Sequence, residues 1–167
     1  MSWEKDLEEL KKRAELAKEM GGIERIAKHY ARGRLTVRER IDQFLDEDSF
    51  HETGEITGKV SYDESGEIKE FIPANFVFGR GKVNGREVVI AGDDFTVRGG
   101  AADARIGNKS LYSLKLAEHL RLPLVNLVDG SGGGGSVKTL ETMGATYVPG
   151  LPSWQNIVRL LSMVPVV

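Results

Sequence analysis

The sequence predicts a mixed α/β fold led by a helical arm, and three observations carry that prediction. Apolar residues recur at helical period over residues 3–20, extended runs with hairpin turns begin near residue 50, and an apolar strand at 124–128 passes into a glycine run. A chain of 167 residues, 40% of them hydrophobic, is long enough to bury one core, so one main body is expected. A net charge of -2 supplies no basic excess, and neither nucleic acid nor a membrane surface is expected as a partner. The absence of cysteine excludes disulfides, a thiolate nucleophile and thiolate metal sites. His29, His51 and His119 show no ligand spacing and read as surface or packing residues, so no metal site is expected. The first twenty residues interleave acids and bases without the apolar centre of an export signal. No run approaches the roughly 18 apolar residues of a membrane span, and a cytoplasmic location is expected.

Taken in order, Trp3, Leu7, Leu10, Ala14, Ala17 and Met20 mark a one-sided helix that Gly21 and Gly22 stop. Thr36 with Glu39 forms a capping box for a second helix carrying Ile41, Phe44 and Leu45 and ending near Asp46. These two helices, an arm over residues 1–49, hold too few apolar residues for a core of their own and are expected to pack on the body or on another subunit. Over residues 50–94 β-branched and aromatic runs alternate with turn formers, first at residues 63–66 and then at Asn84-Gly85, which suits a type I′ hairpin. Residues 101–120 read as an amphipathic helix with Ile106, Leu111, Leu114 and Leu116. Residues 124–128 read as a strand buried on both faces. A short helix around residues 137–143 and another from about Ser153 to Met163 follow, and residues 164–167 look like the start of a strand. A compact domain rarely ends on an opening strand, and the chain is expected to be part of something longer.

The chemistry is expected at the glycine turns. Leu124-Val125-Asn126-Leu127-Val128-Asp129 leads into Gly130-Ser131-Gly132-Gly133-Gly134-Gly135-Ser136 and then a helix. Such a turn lets backbone N–H groups approach a ligand, and the helix start adds its positive dipole end. It suits a phosphate or the oxyanion of a thioester enolate. A P-loop needs lysine directly after its last glycine, whereas here Lys138 is third after Gly135. A second turn of the same kind is Asp93-Asp94-Phe95-Thr96-Val97-Arg98-Gly99-Gly100-Ala101, in which Gly99 and Gly100 could approach a substrate chain and Arg98 a phosphate. Asp93 and Asp94 face opposite ways on a strand and suit a turn or cap better than a paired acid and base.

The run Gly21-Gly22-Ile23-Glu24-Arg25-Ile26, with residues 31–42 (ARGRLTVRERID) and 45–50 (LDEDSF), resembles the leading segment of carboxyltransferase β subunits of propionyl-CoA and methylcrotonyl-CoA carboxylases. Residues 81–100 (GKVNGREVVIAGDDFTVRGG) are similar to that family's hairpin and D-F-T-x-x-G-G turn, and residues 129–133 (DGSGG) to its D-S-G-G-A-R turn. The resemblance spans nearly the whole chain. It implies an incomplete crotonase-like ββα superhelix over residues 50–167, acyl-CoA as substrate, and carboxybiotin brought by a carrier. Gly132, Gly133 and Gly134 would give one half of the oxyanion hole, and Arg98, Gly99, Gly100 and Ala101 would meet the substrate. Gly134 stands where the family has alanine, Gly135 where it has arginine, and Gly130 is an extra residue. Implied partners are a biotin carboxyl carrier or biotin carboxylase subunit, further copies of the chain, and the rest of a carboxyltransferase. The family's second glycine turn lies beyond a strand that begins like residues 164–167, so the chain alone is expected to be inactive. Two other readings stand beside this one: a biotin-free crotonase-type hydratase, isomerase or decarboxylase, and a non-catalytic assembly module.

Overall fold

The structure, a computed structural model, describes residues 3–100, 108–130, 140, 141, 144 and 154–167. Its frame is a four-stranded sheet. β1 (His51–Glu52), β4 (Phe76–Val83), β5 (Arg86–Asp93) and β6 (Leu124–Leu127) lie in that order, and β2 (Gly58–Tyr62) pairs with β3 (Ile68–Pro73) as a separate hairpin. β4 and β5 are antiparallel across Asn84-Gly85, whose φ values of 50° and 77° are what a type I′ turn demands. The β2–β3 turn closes on Asp63, whose Oδ1 accepts from the amides of Ser65 and Glu67.

Alternation along the hairpin sorts its residues to two faces. Phe76, Phe78, Val89 and Ala91 pack with Leu114 and Ala117 of α4 (Lys109–Leu120) and with Leu160 of α5 (Trp154–Leu161). Val77, Val88 and Ile90 pack on the opposite face with Val37, Ile41 and Leu45, the first two from α3 (Val37–Phe44). The result is helix, sheet, helix in three layers. β6 runs parallel to β5, so the connection between them crosses over through α4. Beyond β6 the residues 165–167 begin a further parallel ladder: Leu124 N donates to Pro165 O at 3.0 Å and Asn126 N to Val167 O at 2.7 Å. The expected strand start is there.

The arm differs from expectation by one helix. Between α1 (Glu4–Lys18) and α3 lies α2 (Ile23–Tyr30), which Gly22 opens with φ 87°. Its eight residues are shorter than the window over which helical period declares itself. The capping box at Thr36 is complete, since Thr36 Oγ1 accepts from Glu39 N and Thr36 N donates to Glu39 Oε2. β6 also corrects an expectation. Leu124 is buried toward α4 and α5, and Val125 and Leu127 pack on the α3 face, but Asn126 is exposed, so one face is only partly covered. The helix expected over 101–120 is described from Lys109 onward, its earlier residues lying outside the described set, as does most of the one expected at 137–143.

Candidate functional site

β5 and β6 are parallel neighbours, with Gly92 registered against Leu127, so the Asp93–Gly100 turn and residues 128–130 leave the sheet side by side. Asp129 N donates to Asp93 Oδ2 at 3.5 Å across that junction. Gly130 fits because it has no side chain, for a Cβ there would lie 2.8 Å from Asp93 Oδ2. Chain topology alone therefore brings residues distant in sequence to one edge, where open α/β sheets place their ligands.

The first turn is fixed by hydrogen bonds. Asp94, 2% exposed, accepts from Thr96 N at 2.9 Å and from Thr96 Oγ1 at 2.5 Å. Burial pushes its carboxyl above the ordinary 3.8, with the Thr96 donors pulling the other way. Thr96 Oγ1 in turn accepts from Gly21 N at 2.9 Å, which ties the α1–α2 junction to this turn. The expected structural role of Asp94 agrees with this geometry. Val97 N and Gly100 N then close successive turns onto Asp94 O and Val97 O, both at 3.2 Å. Arg98, Gly99 and Gly100 all have left-handed φ, of 53°, 64° and 65°. Arg98 is exposed and Gly100 buried with its N–H engaged inside the turn. Among the residues named from the sequence, Ala101 and Gly132, Gly133 and Gly134 lie outside the described set.

The arm supplies what sequence reading missed. Asp129, at the mouth of the second turn, faces Arg34 Nη1 at 3.8 Å, His29 Nε2 at 3.9 Å and Arg40 Nη1 at 4.0 Å. His29 is buried, donates to Leu35 O at 3.0 Å and stacks on Phe95, over which the Arg34 guanidinium lies at 5.7 Å. Three basic groups from residues 29–40 thus converge on the carboxylate from which the glycine run departs. Only their alternation in an ordinary charged segment shows in the sequence, which carries no signal of the meeting.

A second buried cluster sits away from the turns. Lys109 Nζ lies 3.3 Å from Glu52 Oε1, while Glu52 Oε2 accepts from Arg38 Nη1 at 2.7 Å. Burial lowers the Lys109 pKa below 10.5, opposed by Glu52. A cavity of about 840 Å³ opens beside it, lined by Phe78, Lys109, Tyr112, Leu116 and Met163 among others. No residue of 93–100 or 127–130 lines that cavity, so volume alone does not mark the chemistry. Among the described residues no group of three or more acidic, histidine or cysteine side chains is placed to hold a metal ion, and no helix is long and apolar enough to cross a membrane.

Residues 28–151 match the family model described as the carboxyl transferase domain. The chain is 32% identical over 132 residues to the propionyl-CoA carboxylase carboxyltransferase subunit of Haloferax mediterranei, covering 79% of this chain and 26% of that protein. It is 34% identical over 129 residues to the methylmalonyl-CoA decarboxylase subunit alpha of Propionigenium modestum, covering 77% and 25%. A crystal structure of transcarboxylase 12S with methylmalonyl-coenzyme A and methylmalonic acid bound superimposes with a TM-score of 0.64 at 30% identity, covering 78% of this chain and 26% of that one. The chain spans about a quarter of the length of these proteins.

Proposed function

Because the chain belongs to the carboxyl transferase domain family, we propose that it forms the thioester-binding front of a crotonase-like acyl-CoA carboxyltransferase. The whole assembly moves a carboxyl group between carboxybiotin and an acyl-CoA. The N–carboxyl bond of carboxybiotin breaks, the freed biotin nitrogen takes the α-proton, electron density passes to the thioester oxygen, and the α-carbon of the resulting enolate forms the new bond to the carboxyl group. Backbone N–H groups of Gly132, Gly133 and Gly134 stabilise that oxygen, where fixed donors act more strongly on the enolate than on the ground-state thioester. Arg98, Gly99, Gly100 and Ala101 border the substrate. Carboxybiotin arrives as a co-substrate on a carrier, and no described residue is assigned to it. A biotin carboxyl carrier or biotin carboxylase subunit, further copies of this chain and the remaining carboxyltransferase portion are the partners. Residues 1–49 act as the arm and 50–167 as the catalytic half-domain.

The observation that supports this reading is the pairing of β5 with β6, which puts the Asp93–Gly100 turn next to the start of the glycine run at Asp129 and Gly130. Titration calorimetry with propionyl-CoA tests it, and saturable binding by the folded chain is expected. A folded chain that takes up no acyl-CoA would instead be an assembly module. The likeness to a decarboxylase subunit favours a second reading in which the same thioester site serves loss of the carboxyl group. In the complete assembly, release of carbon dioxide from methylmalonyl-CoA without carboxylation of biotin would select a biotin-free decarboxylase.

A further inference from the structure

α4 lays one face along the cavity of about 840 Å³. Lys109, Tyr112, Leu116 and His119 recur on that face at intervals of three and four residues, and Phe78 and Met163 extend its apolar part. Tyr112 is 56% and Met163 41% exposed, so the wall keeps apolar surface that the described residues leave uncovered. The charge of the lining is one-sided. Lys109, Lys115, Arg121 and Arg159 stand against a single lining carboxylate, Glu118, which Arg159 Nε engages at 2.9 Å. In a chain of net charge -2 this excess is a local arrangement and not a consequence of composition.

Helix electrostatics accounts for only part of it. His119 and Arg121 stand at the C-terminal end of α4, where the dipole favours cations, but Lys109 is the first residue of the helix, at the positive end. Lys109 is also 5% exposed and shares Glu52 with Arg38, which leaves two cations on one carboxylate. Burial holds its pKa below 10.5 although Glu52 and, more weakly, Glu55 favour the charged form. Glu52 does not line the cavity, so an anion there meets the ammonium from its other side. Thr53 and Thr57 bring hydroxyls to the same end of the cavity. A Cβ on Gly54 would lie 3.1 Å from Thr57 Oγ1 and 3.8 Å from Lys109 Cε, which shows how closely this loop approaches the lysine.

The volume falls within the roughly 300–1,000 Å³ of small-molecule sites. One buried cation at the end of an apolar wall calls for a ligand with one anionic head and an apolar body. We propose that this cavity binds a medium-chain aliphatic carboxylate, its head on Lys109 beside Thr53 and Thr57 and its chain along Phe78, Tyr112, Leu116 and Met163. Lys115 and Arg121 add attraction along the way in. The site does not depend on the acyl-CoA reading, since no residue of 93–100 or 127–130 lines it. α4 is the crossover from β5 to β6, so the acid lies on the element that joins the two turns and touches neither of them.

Calorimetry of the 167-residue chain with hexanoate, octanoate and octan-1-ol tests it, together with amide NMR of the octanoate complex. Octanoate is expected to saturate one site, more weakly as salt rises, and to bind about 15-fold tighter than hexanoate, at about fourfold per methylene. Lys109→Met keeps the Arg38–Glu52 pair and is expected to lower octanoate affinity at least about tenfold, to the level of octan-1-ol. Tyr112→Ala, at an exposed position, is expected to weaken acid and alcohol alike and leave their ratio unchanged. Circular dichroism checks the fold of each variant, and the ratio of acid to alcohol in the unaltered chain decides the head assignment even where Lys109→Met does not fold. Equal affinity for octanoate and octan-1-ol, or a folded Lys109→Met that binds octanoate as before, overturns the role of Lys109. Equal affinity for hexanoate and octanoate overturns the apolar chain site, and absence of saturable octanoate binding overturns the proposal as a whole. Amide shifts are expected at Gly54, Phe78 and Leu116. Shifts confined to residues 93–100 and 128–130 would put the acid at the proposed thioester edge instead and overturn the cavity assignment.

Discussion

Lys109 is the residue whose burial asks most of its neighbours. Only 5% exposed, it relies on Glu52, which also holds Arg38, and its ammonium lies 6.0 Å from the Phe78 ring centre. Glu52→Gln leaves two cations facing each other in a low-dielectric setting. A loss of roughly 3–5 kcal/mol is expected by denaturant unfolding, because breaking a buried pair costs far more than replacing it whole. Adding Lys109→Met should restore part of that loss. Asp94 gives a pH signature instead. Its folded pKa lies above the unfolded 3.8, so the folded state binds its proton more tightly. Its contribution to stability is fully present below pH 3.8 and is lost as pH rises through the folded value. Asp94→Asn keeps an acceptor for Thr96 and removes the titration, so the melting temperature of the variant should lack the part of the acid-range slope that wild type shows. The turn role of Asp94 was legible in the sequence, but the Glu52 cluster was not, since Glu52 and Lys109 stand 57 positions apart and only the fold makes them neighbours.

Elements announced by local chemistry were legible, and those that depend on tertiary support were not. The Thr36–Glu39 box and the Asn84-Gly85 turn each act within a few residues, where side chain and backbone rules decide the outcome. α2 escaped because its eight residues make only about two turns, so Ile23, Ile26, Ala27 and Tyr30, although at helical spacing, are too short a run to declare a period. What holds α2 in place is its junction with α1. Gly21 lies so close to the Asp93–Gly100 turn that a Cβ would fall 2.1 Å from Thr96 O, and Gly21 N donates to Thr96 Oγ1. Gly21→Ala must therefore push backbone from backbone. A cost of about 1–3 kcal/mol is expected from such overpacking, with faster hydrogen exchange at the Gly21 amide while the β4–β5 ladder keeps its protection. Equal loss of protection in both would mean that the junction is not a separate hold.

At the scale of the molecule, the three layers were foreseen only as a mixture of helices and strands. Strand order came from the structure, because nothing in a sequence states that β1 joins β4 while β2 and β3 pair apart. That order is what makes the catalytic expectation specific. With β5 and β6 adjacent, the Asp93–Gly100 turn and residues 128–130 leave the sheet at one edge, and residues 165–167 add the next parallel ladder beside β6. Binding and catalysis separate at this point. On the proposed reading the turns bind an acyl-CoA, yet rate acceleration requires interactions that strengthen as the enolate forms. Each absent oxyanion donor costs about 100- to 1,000-fold in turnover. The resemblance places only one half of that hole within residues 132–134. A preparation of these 167 residues is therefore expected to bind propionyl-CoA in calorimetry while giving no detectable carboxylation of it from carboxybiotin. Turnover by that preparation at a rate near that of a full-length relative would mean that a single glycine turn completes the oxyanion site, and the division of labour between the two halves would have to be abandoned.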